Sequence, residues 1–153
     1  MRVLGIETSG ELGSVAVTDG EALLCEIQFT ATMKHSEKLF PAIANALKLA
    51  QLDQSDVALI GIATGPGSFT GLRIGVSSAK GLAQALNVPI VGVPSSEGFR
   101  SRLGSDIGRV WVLIPDRMAW VYATLYEGSQ VIAETAAWDL DSLIQEVVEE
   151  NRK

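Results

Sequence analysis

Apolar and polar positions along the first thirty residues fall into short bursts separated by turn formers. Arg2–Thr8 reads as a short apolar strand, and Gly13–Thr18 alternates as its hairpin partner across Ser9-Gly10-Glu11-Leu12. Asp19-Gly20 is a strong turn signal, and a third strand follows over Ala22–Thr30. Three strands on short turns predict an antiparallel meander. The period then changes. Leu39, Ile43, Ala46, Leu47 and Ala50 recur at three and four residues, which predicts a helix over about Ser36–Gln51. Ser36 is its expected N-cap, Glu37 suits the positive end of the helix dipole, and Pro41 falls near the start, where a missing N–H costs little.

Leu59–Thr64 has the uninterrupted apolar character of a buried strand, and Gly65–Phe69 is a glycine-rich turn leading into a second helix over about Thr70–Leu86. Pro89–Val93 is another short strand, and Pro94-Ser95-Ser96-Glu97 looks like a helix entry. The first half thus reads β-β-β-α-β-α, a mixed sheet with helices packed on it. The second half starts the same way. Arg109–Pro115, Trp120–Tyr126 and Gln130–Thr135 predict three strands. Leu140, Leu143, Ile144, Val147 and Val148 then carry a helical period capped by Asp139 or Asp141. The expected architecture is α/β, with a first βββαβα lobe over residues 1–100 and an abbreviated βββα lobe over 101–153 whose sheet would present an unpaired edge.

Composition narrows the chemistry. Hydrophobic residues make up 47% and charged residues 20%, with a formal net charge of −6, a mean hydropathy of +0.25 and a pI near 4.7. A disordered chain is excluded. Affinity for nucleic acid comes largely from Lys and Arg neutralising phosphates, so a chain this acidic is a poor stand-alone binder. One cysteine (Cys25) and one histidine (His35) exclude an internal disulfide and are too few for the usual Cys/His zinc site. No run approaches the ~18 apolar residues of a membrane span, and the N-terminus lacks the apolar stretch of a signal peptide. A soluble cytoplasmic chain is expected, with no membrane partner.

Three segments carry more information. They are Leu4-Gly5-Ile6-Glu7-Thr8-Ser9, then His35-Ser36-Glu37-Lys38-Leu39-Phe40-Pro41, then Gly65-Pro66-Gly67-Ser68-Phe69-Thr70-Gly71-Leu72-Arg73-Ile74-Gly75 with Ala79-Lys80-Gly81-Leu82-Ala83. Together with the duplicated strand–helix order they resemble the TsaB (YeaZ) family of the actin/Hsp70/sugar-kinase superfamily, over roughly residues 1–100 in register. The resemblance implies an actin-like ATPase fold and a role in making threonylcarbamoyladenosine at position 37 of tRNA. It implies a non-catalytic scaffold or activating subunit that pairs with a metal-containing TsaD-type paralogue and is joined by a TsaE-type ATPase. A homodimer is implied for the chain alone, with tRNA met only through the complex. In the paralogue the equivalent helix is expected to carry two histidines one turn apart. Here the residue four after His35 is Leu39, so no metal site and no catalytic residue are expected. Glu7 stands where the superfamily usually has Asp, and Asp116-Arg117-Met118 resembles the family's corresponding motif only loosely.

Two chemistries follow. Thr8, Ser9, Gly65, Gly67 and Ser68 are candidates for contact with phosphate, because a turn running into a helix N-terminus offers free N–H groups. The segment is no Walker A loop, since the second Gly-Lys pair is missing; the structural alternative is that the glycines allow a tight turn and close helix–sheet contact. Glu7 and Glu11 would repel a triphosphate unless a metal ion intervened. No cofactor is therefore expected on this chain alone, with ATP or ADP left to the complex; a competing reading is an autonomous ATPase or kinase. The second chemistry is association. Glycine costs ~1 kcal/mol against alanine inside a helix, so the run of small residues over Thr70–Leu86 needs a reason. Close approach of another helix supplies one; burial wholly within this chain is the alternative. The expected partner surface comprises Ser36, Leu39, Phe40 and Ile43 of the first helix and Gly71, Ile74, Gly75, Ser78 and Gly81 of the second. Arg100, Arg102, Arg109, Arg152 and Lys153 are candidates for contact with tRNA in a complex, against the commoner reading of solvated loop side chains.

Overall fold

A computed structural model describes residues 1–30, 35–104 and 107–150, with the side chains of His35, Ser36 and Glu150 outside the description. Two compact units are present, Met1–Ser95 and Ser96–Lys153.

The first unit is built on β1 (Arg2–Glu7), β2 (Leu12–Asp19) and β3 (Ala22–Thr30), the expected antiparallel meander. After α1 (His35–Leu49), β4 (Leu59–Ala63) returns beside β1 in parallel; after α2 (Phe69–Leu86), β5 (Ile90–Val93) adds in parallel to β4. The sheet order is β3-β2-β1-β4-β5. Strand alternation decides which face is covered. Leu4 and Ile6, Val15 and Val17, and Ile60 and Ile62 point to one face and are buried there beneath Leu39, Ala42, Ile43, Ala46 and Leu47 of α1 and Ala79 and Ala83 of α2. At ~1.5–3 kcal/mol per large apolar side chain removed from water, this layer dominates the unit's stability.

Local chemistry sets the helix ends. The Ser68 hydroxyl accepts from the Gly71 N–H at 3.2 Å and caps α2. At the other end Asn87 adopts a left-handed conformation (φ +55°), and Val88 N–H returns to the Ala83 carbonyl, a glycine-like stop made by asparagine. Helix α1 begins at His35, one residue before the expected Ser36 cap, and runs through Pro41. A 3-10 turn at Gln54–Asp56, which has too few residues to show a period, went unpredicted.

The second unit holds α3 (Ser95–Ser101, beginning on the last residue of the first unit), the antiparallel sheet β6 (Arg109–Pro115), β7 (Trp120–Glu127) and β8 (Gln130–Asp139), and α4 (Leu140–Glu150). Leu143 of α4 is buried with Val121 and Ala123 on one face, flanked by Trp111 and Trp138. Val112, Ile114 and Tyr126 pack together in a second cluster. Asp139 accepts from Ser142 N–H at 3.1 Å, so Asp139 is the cap of α4. Strand β8 outruns its predicted end at Thr135 because Ala137, Trp138 and Asp139 pair with Tyr122, Val121 and Trp120. The β-β-β-α order of the first unit is thus repeated. No helix among the described residues is long and apolar enough to cross a membrane.

Candidate functional site

Every residue proposed for phosphate contact lies where the β1–β2 turn meets the turn after β4, at the carboxyl ends of parallel strands. Open α/β sheets take ligands at that end. The Ser68 N–H donates to the Ser9 carbonyl at 2.6 Å. Gly67 passes so near Ser9 that a β-carbon would collide with that carbonyl; glycine is required by close approach. Ser95 closes the third side, its N–H donating to the Gly65 carbonyl at 2.8 Å and its hydroxyl lying 3.0 Å from that of Ser9. Thr8, fully buried, donates its hydroxyl to the Gly71 carbonyl at 2.8 Å. Thr8, Ser9, Gly65, Gly67 and Ser68 are therefore brought together, and their hydrogen bonds run to one another, to α2, to Ser95 and, from Ser9, to Glu7. Ser95, the one buried hydroxyl of this junction that sequence reasoning left out, had been read as part of a helix entry.

The Ser9 N–H donates to a carboxylate oxygen of Glu7. Among the described residues Glu7 makes no ion pair. At the opposite end of β1, Asp19 accepts from the Met1 amino group at 3.0 Å. That hydrogen bond and the amine's charge, with Arg2 adding less, hold its carboxyl below the ordinary value.

The expected partner surface divides in two. Gly71, Gly75, Ala79 and Ala83 form the buried stripe of α2. A β-carbon at Gly75 would overlap the Thr8 hydroxyl and stand 3.2 Å from Ile62 Cδ1. Leu39 and Ile43 are core residues of α1, exposed by 0% and 3%. Leu39, Ile43, Gly71 and Gly75 therefore serve the unit's own sheet, which corrects their placement on an open face. The error is one of helical phase: Gly81 lies six residues from Gly75, about 240° around the helix at 3.6 residues per turn, not on its stripe. Phe40, 52% exposed, and Gly81, whose missing β-carbon would meet open space, do lie outside. Ile74 and Ser78 are half-buried at the margin. The expectation for Ser36 rests on a side chain outside the described set.

Two adjoining depressions mark this outer face. One, of about 430 Å³, is lined by Phe40, Ser77, Ser78, Gly81, Leu82 and Ala85. The other, of about 360 Å³, is lined by Thr70, Arg73, Ile74, Ser77 and Ser78. Ser77 belongs to both and Ala85 to the first; neither was placed on the partner surface from the sequence, although Ser77, Gly81 and Ala85 recur every four residues and share a face. Of the arginines assigned to tRNA, Arg100 bonds Glu97 and the Gly128 carbonyl, and Arg109 pairs with Glu127. Arg102 is exposed, and Arg152 and Lys153 lie outside the described residues.

Residues 29–148 match the family model described as TsaD, tRNA N6-adenosine threonylcarbamoyltransferase. The tRNA threonylcarbamoyladenosine biosynthesis protein TsaB of Bacillus subtilis is 30% identical over 149 residues, 97% of this chain and 65% of that protein. The Escherichia coli protein of the same name is 30% identical over 131 residues, 83% of this chain and 55% of that protein. The chain thus spans between about half and two thirds of these curated relatives. The crystal structure of YeaZ from Pseudomonas aeruginosa superposes with a TM-score of 0.78 at 27% identity, over 90% of this chain and 67% of that one. A ROK hexokinase from Thermus thermophilus shares the fold alone, with a TM-score of 0.56 at 18% identity, over 86% of this chain and 49% of that one. Segments read from the sequence, the βββαβα unit and these likenesses agree: the chain belongs to the TsaB/YeaZ family and has an actin-like fold.

Proposed function

We propose that the protein is a non-catalytic subunit in the formation of threonylcarbamoyladenosine on tRNA, pairing with a TsaD-type transferase through the outer face of α1 and α2. The observation that supports the pairing is the depression where the exposed ring of Phe40 meets Ser77, Ser78, Gly81 and Ala85. Small side chains there let a second helix approach to the short end of the usual ~8–10 Å interaxial range, and the aromatic ring supplies apolar area for an interface core. The same face serves a homodimer when the chain is alone. A TsaE-type ATPase joins the pair, ATP or ADP is handled in the complex, and tRNA is met there rather than by this acidic chain. The setting is the cytoplasm.

Co-purification with a TsaD-type protein tests the reading, using Gly81→Arg as the disruptive variant. The position is open, so the substitution leaves the fold intact, and it sets a charged side chain where close approach is needed. Wild type is expected to elute with the partner, and Gly81→Arg to elute alone with an unchanged melting temperature. A complex that survives Gly81→Arg places the interface elsewhere; a wild type that never pairs removes the function. The non-catalytic half is tested by ATP turnover of the purified chain. Steady hydrolysis that disappears on mutating Glu7 would overturn it.

A further inference from the structure

The outer face of α1 and α2 differs in charge from the rest of the chain, which has twelve basic residues and eighteen acidic ones. Lys38 and Lys48 stand on α1 and Arg73 and Lys80 on α2, and all four are exposed. Glu37 is the one acidic residue on either helix. Arg73 and Lys80 lie seven residues apart, about two turns, and so project from one side of α2. Among the described residues neither Lys48 nor Lys80 makes an ion pair. We infer that this face selects a partner whose own docking face is acidic, and that its cations favour the transferase over a second copy of the chain. The inference rests on the pairing proposed above and adds a charge rule to it. In a two-fold contact the same patch meets itself, so a homodimer brings this basic face against its own copy. Like charges then oppose each other across a close helix contact, whereas an acidic face is attracted, chiefly through a faster encounter. Phosphates would also suit cations. The depression beside them, however, is lined by Phe40, Gly81, Leu82 and Ala85, apolar surface that a protein helix buries and a nucleic-acid backbone does not.

The experiment measures association of the full chain with a TsaD-type protein and with itself, as wild type and as Lys48→Glu with Lys80→Glu. A control, Arg102→Glu with Arg117→Glu, makes the same change in net charge on exposed residues of the second unit. At about 0.01 M ionic strength the screening length is about 30 Å. There the lysine reversal is expected to slow association with the transferase at least about tenfold, and the control less than about twofold. At about 0.15 M the screening length falls to about 8 Å and the gap should narrow. Wild type mixed with the lysine reversal should form a mixed dimer tighter than the wild-type homodimer. Net charge alone predicts a weaker one, because the variant is the more acidic chain. If the lysine reversal fails to fold, Lys48→Gln with Lys80→Gln decides: slowing of about threefold supports the rule and an unchanged rate overturns it. Equal slowing by the control, or a mixed dimer weaker than the wild-type homodimer, overturns the charge rule and leaves the pairing standing. A wild type that forms no complex with the transferase at either ionic strength overturns the pairing, and this inference with it. Binding of tRNA to the isolated wild type that is lost on lysine reversal would assign the cations to RNA and overturn it as well.

Discussion

Helix α2 carries two stripes of similarly small residues in opposite circumstances. Gly71, Gly75, Ala79 and Ala83 lie against the sheet. Ser77, Gly81 and Ala85 lie outside, facing Phe40 across a shallow depression. On the inner stripe smallness is enforced by neighbours already in place: the Thr8 hydroxyl and Ile62 occupy the space a side chain at Gly75 would need. On the outer stripe nothing in the unit enforces it, since a β-carbon at Gly81 meets open space. A glycine that costs helix stability and makes room for nothing within its own unit needs a cause outside it. Small size alone therefore does not identify an interface; the test is whether the neighbour that demands it is already present.

The sharpest way to break the comparison is to add one methyl group to each stripe. Gly75→Ala is expected to destabilise the chain by ~1–3 kcal/mol, the usual cost of overpacking a filled core, measured by urea denaturation. The clash is mainly with Thr8, so the penalty should shrink in a Thr8→Ala background. That non-additivity marks contact. A Gly75→Ala chain as stable as wild type would mean that α2 is free to move off the sheet, and the two stripes would lose their distinction.

The same methyl on the outer stripe should act with opposite sign. Gly81→Ala relieves the backbone entropy of glycine and touches nothing, so stability should rise by ~0.5–1 kcal/mol. Chain association, read by analytical ultracentrifugation, should weaken at the same time. Destabilisation would show that Gly81 has a hidden packing role and that the outer stripe is a second inner one.

Why were the stripes merged when read from the sequence, while the strands and helices were legible? Alternation at Val15 and Val17, or periodicity at Leu39, Ile43, Ala46 and Leu47, is local and has one sheet face or helix face to satisfy. Element bounds in the first unit accordingly fell within one or two residues. The exposed Arg73, Ser77, Lys80 and Gln84 mark one face of α2, but small residues flank that face on both sides, and only the tertiary position of Thr8 and Ile62 shows which of them must stay small. The site had the same limit. The two turns were each visible as turns, but the meeting of Ser9 with Ser68 and Ser95 spans up to 86 positions of sequence. No local pattern encodes it. Glu7 was read as an obstacle to phosphate through repulsion; that its carboxylate is bonded to the turn's own N–H needed coordinates.

The smallest expected effect lies at the rim of the outer face, where the Arg73 guanidinium sits over the Phe69 ring, 5.5 Å from its centroid. Two contributions oppose each other there. A cation–π contact at an exposed site stabilises by ~0.5–1 kcal/mol. A cation near the start of a helix is disfavoured by the dipole, by ~0.3 kcal/mol at the low end, and the effect fades beyond the first turn. Phe69 begins the helix and Arg73 is its fifth residue, so the dipole penalty is already declining and the ring contact should prevail. Arg73→Met, which keeps the length of the stem, is expected to lower stability by no more than ~0.5 kcal/mol. Arg73→Met in a Phe69→Ala background should cost nothing further or give a slight gain. A loss in that background as large as in wild type would show that Arg73 packs on α2 through its stem rather than through the ring. The outer face would then owe part of its order to contacts inside this chain, and the contrast with the inner stripe would be one of degree.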